Sequence, residues 1–312
     1  MSLKIAIIKC CGGLNLGNNF INFGGQYVVK TLHPASTIET FEFYDSCLPS
    51  WNSSGCLTET TLEYIRNNFD LIYILSGSAA EDNLYRALFE PISKLGVPFI
   101  PIGIGCAGSY NESEQKAINS ITNLPNCKRI ITRDPQTYGF IEDKSKAISG
   151  MDLAFFAKDY LGKKKYGIPS EYAVVNFEPY GSLMFPQAGD LKQQLQQEFK
   201  KVYLTENTVI PSRKDIPDYI QIGYAEDLWS FYANAAFVVT TRIHSCVCSI
   251  RNGVDFIYYG SHDTGGKKGR NTLFNTIGIA LEVGKVYKSE DYQDTISENK
   301  QAYLKRLKQA LL

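Results

Sequence analysis

At 312 residues the chain exceeds the usual single-domain size of about 100–200 residues and suits two folded units. Hydrophobic residues make up 44% of it, which argues against a disordered chain, and 32 basic side chains balance 32 acidic ones, which argues against a nucleic-acid groove. No stretch approaches the roughly 20 apolar residues that cross a bilayer, so no membrane-spanning segment is expected.

The first residues run straight into a strand pattern at Leu3, Ile5, Ile7 and Ile8, with no secretory h-region, so the expected compartment is cytoplasmic. Peripheral contact with a membrane stays open. Strands are predicted at Leu3–Lys9, Ile38–Tyr44, Leu71–Leu75, Pro98–Ile104 and Arg129–Thr132. Helices are predicted between them at Asn22–Thr31, Leu57–Asn67, Asp82–Leu95 and Ser113–Leu124. Strand alternating with helix predicts a parallel sheet covered on both faces. Near Lys158–Ser170 the pattern breaks into Gly, Lys and Pro, as a hinge would.

The alternation then resumes: strand Tyr172–Phe177, helix Asp190–Lys200, strand Lys201–Leu204, helix Glu226–Ala236 and strand Phe237–Thr241. Helix Ser245–Asn252, closed by Gly253, and strand Asp255–Tyr259 follow. Leu304, Leu307, Leu311 and Leu312 give a final helix an apolar stripe that could pack back on the first half. The expected division is 1–160, 161–289 and a C-terminal helix over 290–312. The eight cysteines are scattered without zinc-ribbon or CxxC spacing and read as small buried hydrophobes.

In open α/β sheets, ligands sit beyond the carboxyl ends of strands. That rule selects Thr240-Thr241-Arg242-Ile243-His244-Ser245, between a strand and the following helix. The helix N-terminus offers unpaired N–H groups to an anion. Arg242 adds a fork of donors matching phosphate or carboxylate, and His244 can exchange a proton near neutral pH; position alone equally allows a surface arginine beside a helix-capping histidine. Arg133-Asp134, after an earlier strand, reads either as a mutually paired turn or as a second anion clamp. Asn15-Leu16-Gly17-Asn18 carries amides and a glycine ahead of a helix, and lacks the GxGxxG spacing of a dinucleotide site. Ile102-Gly103-Ile104-Gly105 ends a strand with glycines that let backbone approach a ligand. Gly265-Gly266-Lys267-Lys268-Gly269-Arg270 reads either as a solvated loop or as a basic lid.

The ordered set of these segments resembles the polysaccharide pyruvyl transferase family. The late signature is Glu226-Asp227-Leu228, Asn234-Ala235-Ala236-Phe237, Thr241-Arg242-Ile243-His244, Asn252-Gly253-Val254, Lys267-Lys268 and Leu273-Phe274-Asn275. Asn15-Leu16-Gly17-Asn18, Ile102-Gly103-Ile104-Gly105, Thr132-Arg133-Asp134 and Gly150-Met151-Asp152-Leu153-Ala154-Phe155 match upstream. The chain departs from the family at Ser76-Gly77-Ser78, where a Gly-rich run is usual, and at Asp255, where Pro is common.

The resemblance implies two Rossmann-like, doubly wound α/β domains facing a cleft in a glycosyltransferase B-like arrangement. It implies transfer of pyruvate from phosphoenolpyruvate, the donor co-substrate, onto two hydroxyls of a sugar or lipid-linked oligosaccharide as a cyclic ketal. No metal and no further cofactor are expected. His244 and Arg242 are then the catalytic candidates. Arg133, Ser245, Asn15, Gly17, Asn18, Gly105, Lys267, Lys268 and Arg270 are the substrate-binding candidates. Two other readings remain: a nucleotide-sugar glycosyltransferase and a non-catalytic sugar- or anion-binding protein.

Overall fold

The computed structural model describes residues 2–10, 15–43, 57–76, 85–106, 111–162, 171–177, 185–208, 217–260 and 272–311. Its first sheet holds β1 (Lys4–Lys9), β2 (Thr37–Glu42), β3 (Leu71–Leu75), β4 (Phe99–Ile104), β5 (Ile130–Thr132) and β6 (Ala147–Ile148). Their spatial order is β2-β1-β3-β4-β5-β6, with every pair parallel. Apolar residues in β1 and β3 point alternately to two packed layers. Ile5, Ile7, Tyr73 and Leu75 meet helix α1 (Asn19–Leu32) and the turn Leu153–Phe156. Ala6, Ile8, Ile72 and Ile74 share the opposite core with Ile65 of α2 (Glu59–Asn68). Two buried faces explain why these strands read as unbroken apolar runs.

The second sheet runs β11 (Val286–Tyr287), β10 (Asp255–Tyr258), β9 (Phe237–Thr240), β7 (Tyr172–Asn176) and β8 (Lys201–Thr205), parallel except for β11. Helix α3 (Phe185–Leu195) covers one face through Ala188, Leu191 and Leu195. Helices α4 (Ala225–Ala233) and α5 (Ile243–Asn252) lie in the core on the other. Gly253, at φ 78°, closes α5 in the left-handed conformation expected of a terminating glycine.

The layer between the sheets is one continuous apolar core. Phe20 of α1 meets Trp229 of α4 edge-on at 4.9 Å between ring centroids, and Phe155 meets Phe274 at 5.6 Å. The final helix, α6 (Gln293–Leu311), packs back on α1 and the 153–156 turn as the apolar stripe predicts. Its inward residues include Ile296, Tyr303 and Leu307, and Lys300 pairs with Asp159 of the first half.

Several predicted boundaries change. The helix predicted at Asp190–Lys200 is α3, Phe185–Leu195, followed by turns. Leu191, Leu195 and Phe199 all pack on the sheet, so the apolar spacing outlasts the helix and displaces its predicted end. The single helix predicted over Asp82–Leu95 is, in its described part, a π turn at Tyr85–Phe89 followed by Glu90–Ser93. Pro91, with no N–H to donate, stands at the start of the second piece. The predicted hinge begins with helix rather than coil, at Ala157–Leu161, and residues 163–170 lie outside the described residues. No described helix is long and apolar enough to cross a membrane.

Candidate functional site

β7, β8 and β9 end side by side in Asn176, Thr205 and Thr240, all fully buried. A buried polar side chain needs partners: the Thr205 hydroxyl donates to the Ile220 carbonyl (2.9 Å), and the other two belong to one network. Thr240 Oγ1 donates to Asn176 Oδ1 (2.9 Å) and accepts from the Arg242 amide (3.0 Å). Asn176 Nδ2 donates to Asn207 Oδ1 (3.1 Å), which also accepts from the Tyr232 hydroxyl (2.6 Å). Asn207 Nδ2 donates in turn to Ser245 Oγ (2.9 Å) in the first turn of α5. The network fixes the start of α5, where Arg242 is the N-cap residue and His244 is the second helical residue.

The same network reaches the first half. The Leu16 amide donates to the Asn207 carbonyl (3.0 Å), and Asn15 forms an antiparallel bridge with Thr208. Asn15 Oδ1 caps the turn at the Gly17 amide (3.2 Å) and its Nδ2 meets Asn18 Oδ1 (3.4 Å). A Cβ on Gly17 would lie 3.0 Å from Asn207 Nδ2 and 3.6 Å from His244 Cβ. Glycine therefore lets this loop seat against the Asn207 amide, beside the histidine.

From the other side comes Asp152, which is buried and opens the 153–156 turn. Its Oδ1 accepts from the Ala154 amide (2.9 Å), and its Oδ2 stands 3.7 Å from His244 Nε2. That separation is too long for a hydrogen bond, and the contact becomes an ion pair only when the imidazole carries a second proton. Burial opposes ionisation of Asp152, but the imidazole, the Arg133 guanidinium and the Ala154 amide outweigh it and hold the carboxyl below its ordinary range. Arg133, itself buried, donates to the Cys106 carbonyl (2.7 Å), with Nε 3.7 Å from Asp134. Its side chain lies directly over Gly105, where any Cβ would collide with the guanidinium. Asp134 is occupied in capping the next helix, accepting from the Thr137 amide (2.7 Å) and hydroxyl (2.9 Å). Asp134 thus builds the turn, while Arg133 lies near enough to Asp152 to favour its ionised form.

Asn15, Gly17, Ser245 and His244 accordingly meet around Asn207, with Asn18 on the same loop and Arg242 at the head of α5, and Arg133, packed over Gly105, is connected to them through Asp152. Lys267, Lys268 and Arg270 lie outside the described residues. Three contributors escape the sequence reading. Asp152 stands in the quoted Gly-Met-Asp stretch without a role, and Asn207 and Glu206 follow β8. Glu206 is buried and accepts from the Tyr219 hydroxyl (3.1 Å). A polar run at a strand's carboxyl end, the signal that picks out Arg242 and His244, marks Glu206-Asn207 equally well.

Of the eight thiols expected as buried hydrophobes, Cys106, Cys127, Cys246 and Cys248 are buried, Cys10 is half-buried, and Cys11, Cys47 and Cys56 lie outside the described residues. Burial pushes Cys106 and Cys127 up to about 12.

Comparison with known proteins adds two findings. A family model described as polysaccharide pyruvyl transferase matches residues 15–263, while no curated protein matches by sequence. Among solved structures, MnaA of S. aureus, in a co-structure with UDP, aligns at TM-score 0.55 and 11% identity, covering 99% of this chain and 90% of that one. A UDP-GlcNAc 2-epimerase from Methanocaldococcus jannaschii aligns at TM-score 0.50 and 13% identity, covering 97% and 99%. At such identities the likeness shows the fold alone: two Rossmann-like domains in a glycosyltransferase B-like arrangement.

Proposed function

The chain belongs to the polysaccharide pyruvyl transferase family, and on that premise we propose that it moves pyruvate from phosphoenolpyruvate onto a sugar of a cell-surface polysaccharide or its precursor. The observation that carries this reading is the convergence on one seam of Arg133, the Asn15–Asn18 loop and the Arg242–His244 step, drawn from both halves of the molecule. A donor with a phosphate and a carboxylate needs several fixed positive or N–H groups. Arg242, Arg133 and the N-terminus of α5 supply them, each charge-assisted bond contributing about 1.5–3 kcal/mol.

The chemistry needs a proton for the donor's methylene carbon. His244 gives it, turning the methylene into a methyl group as a sugar hydroxyl forms a bond to the enol carbon. The carbon–oxygen bond to phosphate then breaks, and a second hydroxyl closes the ketal. Of the two hydroxyl protons, one restores His244 and the other leaves with phosphate. Lys267, Lys268 and Arg270 would add charge over the leaving phosphate. The acceptor is a free or lipid-linked oligosaccharide, and the reaction takes place in the cytoplasm.

The test is phosphate release from phosphoenolpyruvate against free and lipid-linked galactosides, glucosides and mannosamine derivatives. His244→Ala should lower kcat by about 10²–10⁴ while the donor still binds; unchanged turnover would remove His244 from the mechanism. The fold likeness to enzymes of UDP-sugars favours a second reading, a nucleotide-sugar glycosyltransferase. Thermal protection by UDP-GlcNAc but not by phosphoenolpyruvate would establish that reading instead.

A further inference from the structure

His244 Nε2 and Asp152 Oδ2 are both sealed from solvent, and neither has a hydrogen-bond partner among the described residues. They face each other across the seam at 3.7 Å. Two buried polar atoms left in this state are costly unless they serve each other. Nor is the carboxylate loosely held. Its Oδ1 is tied to the Ala154 amide, and the turn that carries it is wedged against α1, where a Cβ on Gly24 would run into the Leu153 carbonyl. Behind it, a Cβ on Gly150 would collide with the Thr132 carbonyl and touch the Tyr303 ring of α6 at 3.0 Å. The acid is thus fixed by the first half, while the imidazole is fixed by the first turn of α5 in the second.

We propose that Asp152 is the positioning residue for His244: it holds the Nε2–H side of the imidazole across the seam, so that Nδ1 is the nitrogen that delivers and recovers the reaction's proton. The argument is steric first. A sealed Nε2 cannot meet a substrate carbon, which leaves Nδ1 as the ring's working nitrogen. It is then electrostatic. When Nδ1 also carries a proton, the ring is cationic, and a carboxylate fixed opposite Nε2 stabilises that form without itself taking the proton. A closure of about 1 Å between the halves would turn the 3.7 Å contact into a charge-assisted hydrogen bond, as catalytic contacts often tighten once substrate is bound. The tautomer would then be set most firmly when both halves grip the donor.

This inference rests on the donor reading above, and its test is chosen to fail separately. The chain has three histidines, so 15N-histidine labelling of the full chain, with His244→Ala for assignment, reads the ring directly. Neutral His244 should be protonated at Nε2 in the wild type, and Asp152→Asn, which keeps an oxygen for the Ala154 cap, should abolish that preference. In phosphate release from phosphoenolpyruvate, Asp152→Asn should lower kcat by about 10²–10⁴ with donor KM within about threefold. In the His244→Ala background the same change should cost less than about twofold, because a residue acting through His244 has nothing left to act on. Protonation at Nδ1 in the wild type would overturn the proposal, as would a 15N pattern unmoved by Asp152→Asn or effects that multiply in the double variant. If the wild type released no phosphate, the donor reading would fall, while the 15N result would still decide the pairing.

Discussion

The two sheets end differently where they meet. In the second, the central strands finish in uncharged groups: Asn176 and Thr240 are satisfied in a network with Asn207, Tyr232 and Ser245, and Thr205 donates to the Ile220 carbonyl. In the first, β5 runs directly into Arg133 and Asp134, and Asp152 follows after β6. Charge enters the second half beyond its neutral layer, at Glu206 and Arg242, with the imidazole of His244 close by. Amides and hydroxyls can be buried at modest cost once paired, whereas buried charges are expensive and are retained where something must be bound or moved. The neutral layer should therefore govern stability, and the charged positions the handling of the donor.

The largest expected effect of this division falls on the neutral layer. Asn207→Ala strands Asn176, Tyr232 and Ser245 together and should destabilise the fold by about 3 kcal/mol, read in urea denaturation, with donor KM in the folded fraction changed less than about threefold. Arg133→Lys keeps the charge and loses the fork. It should raise donor KM about tenfold, equivalent to about 1.4 kcal/mol, with a loss of stability, from the bond to the Cys106 carbonyl, of only about 1 kcal/mol. If the two variants exchanged these signatures, the division would be wrong. Tyr232→Phe removes one of three bonds at Asn207 and should cost about 1 kcal/mol by the same urea measurement.

Acidification gives a finer distinction. Asp152 has its pKa depressed in the folded state. Its stabilising contribution is therefore complete above the unfolded value, about 3.9, and is lost as pH falls from there through the lower folded value. Stability plotted against pH should fall less steeply below about pH 4 in Asp152→Asn than in the wild type, as chemical denaturation at successive pH values would show.

The extent to which the site was legible follows the same line. Arg242, His244 and Arg133 stand out in the sequence because a charged residue directly after an apolar strand has few structural excuses. The parallel strands were legible because burial on both faces removes polar interruptions. Asn207 and Asp152 were harder to see. An asparagine after a strand is commonplace, and its value arises from three partners lying 25 to 38 residues away along the chain. Asp152 gains its meaning from a histidine in the other half, a pairing that no local pattern encodes. Short elements such as β6 and β11, two residues each, fall below the length at which periodicity can speak.

The return of α6 to the first half has a consequence for how the molecule is made. Lys300 pairs with Asp159, Arg306 donates to the Ser149 carbonyl (2.7 Å), and Tyr303 lies against Gly150 and Phe156. On the ribosome, the first half emerges with part of its surface bare and stays so until the entire second half has been synthesised. The two Rossmann-like units are accordingly poor candidates for separate expression: a cut between them would leave the earlier piece without its cover and the later piece trailing an unhoused helix.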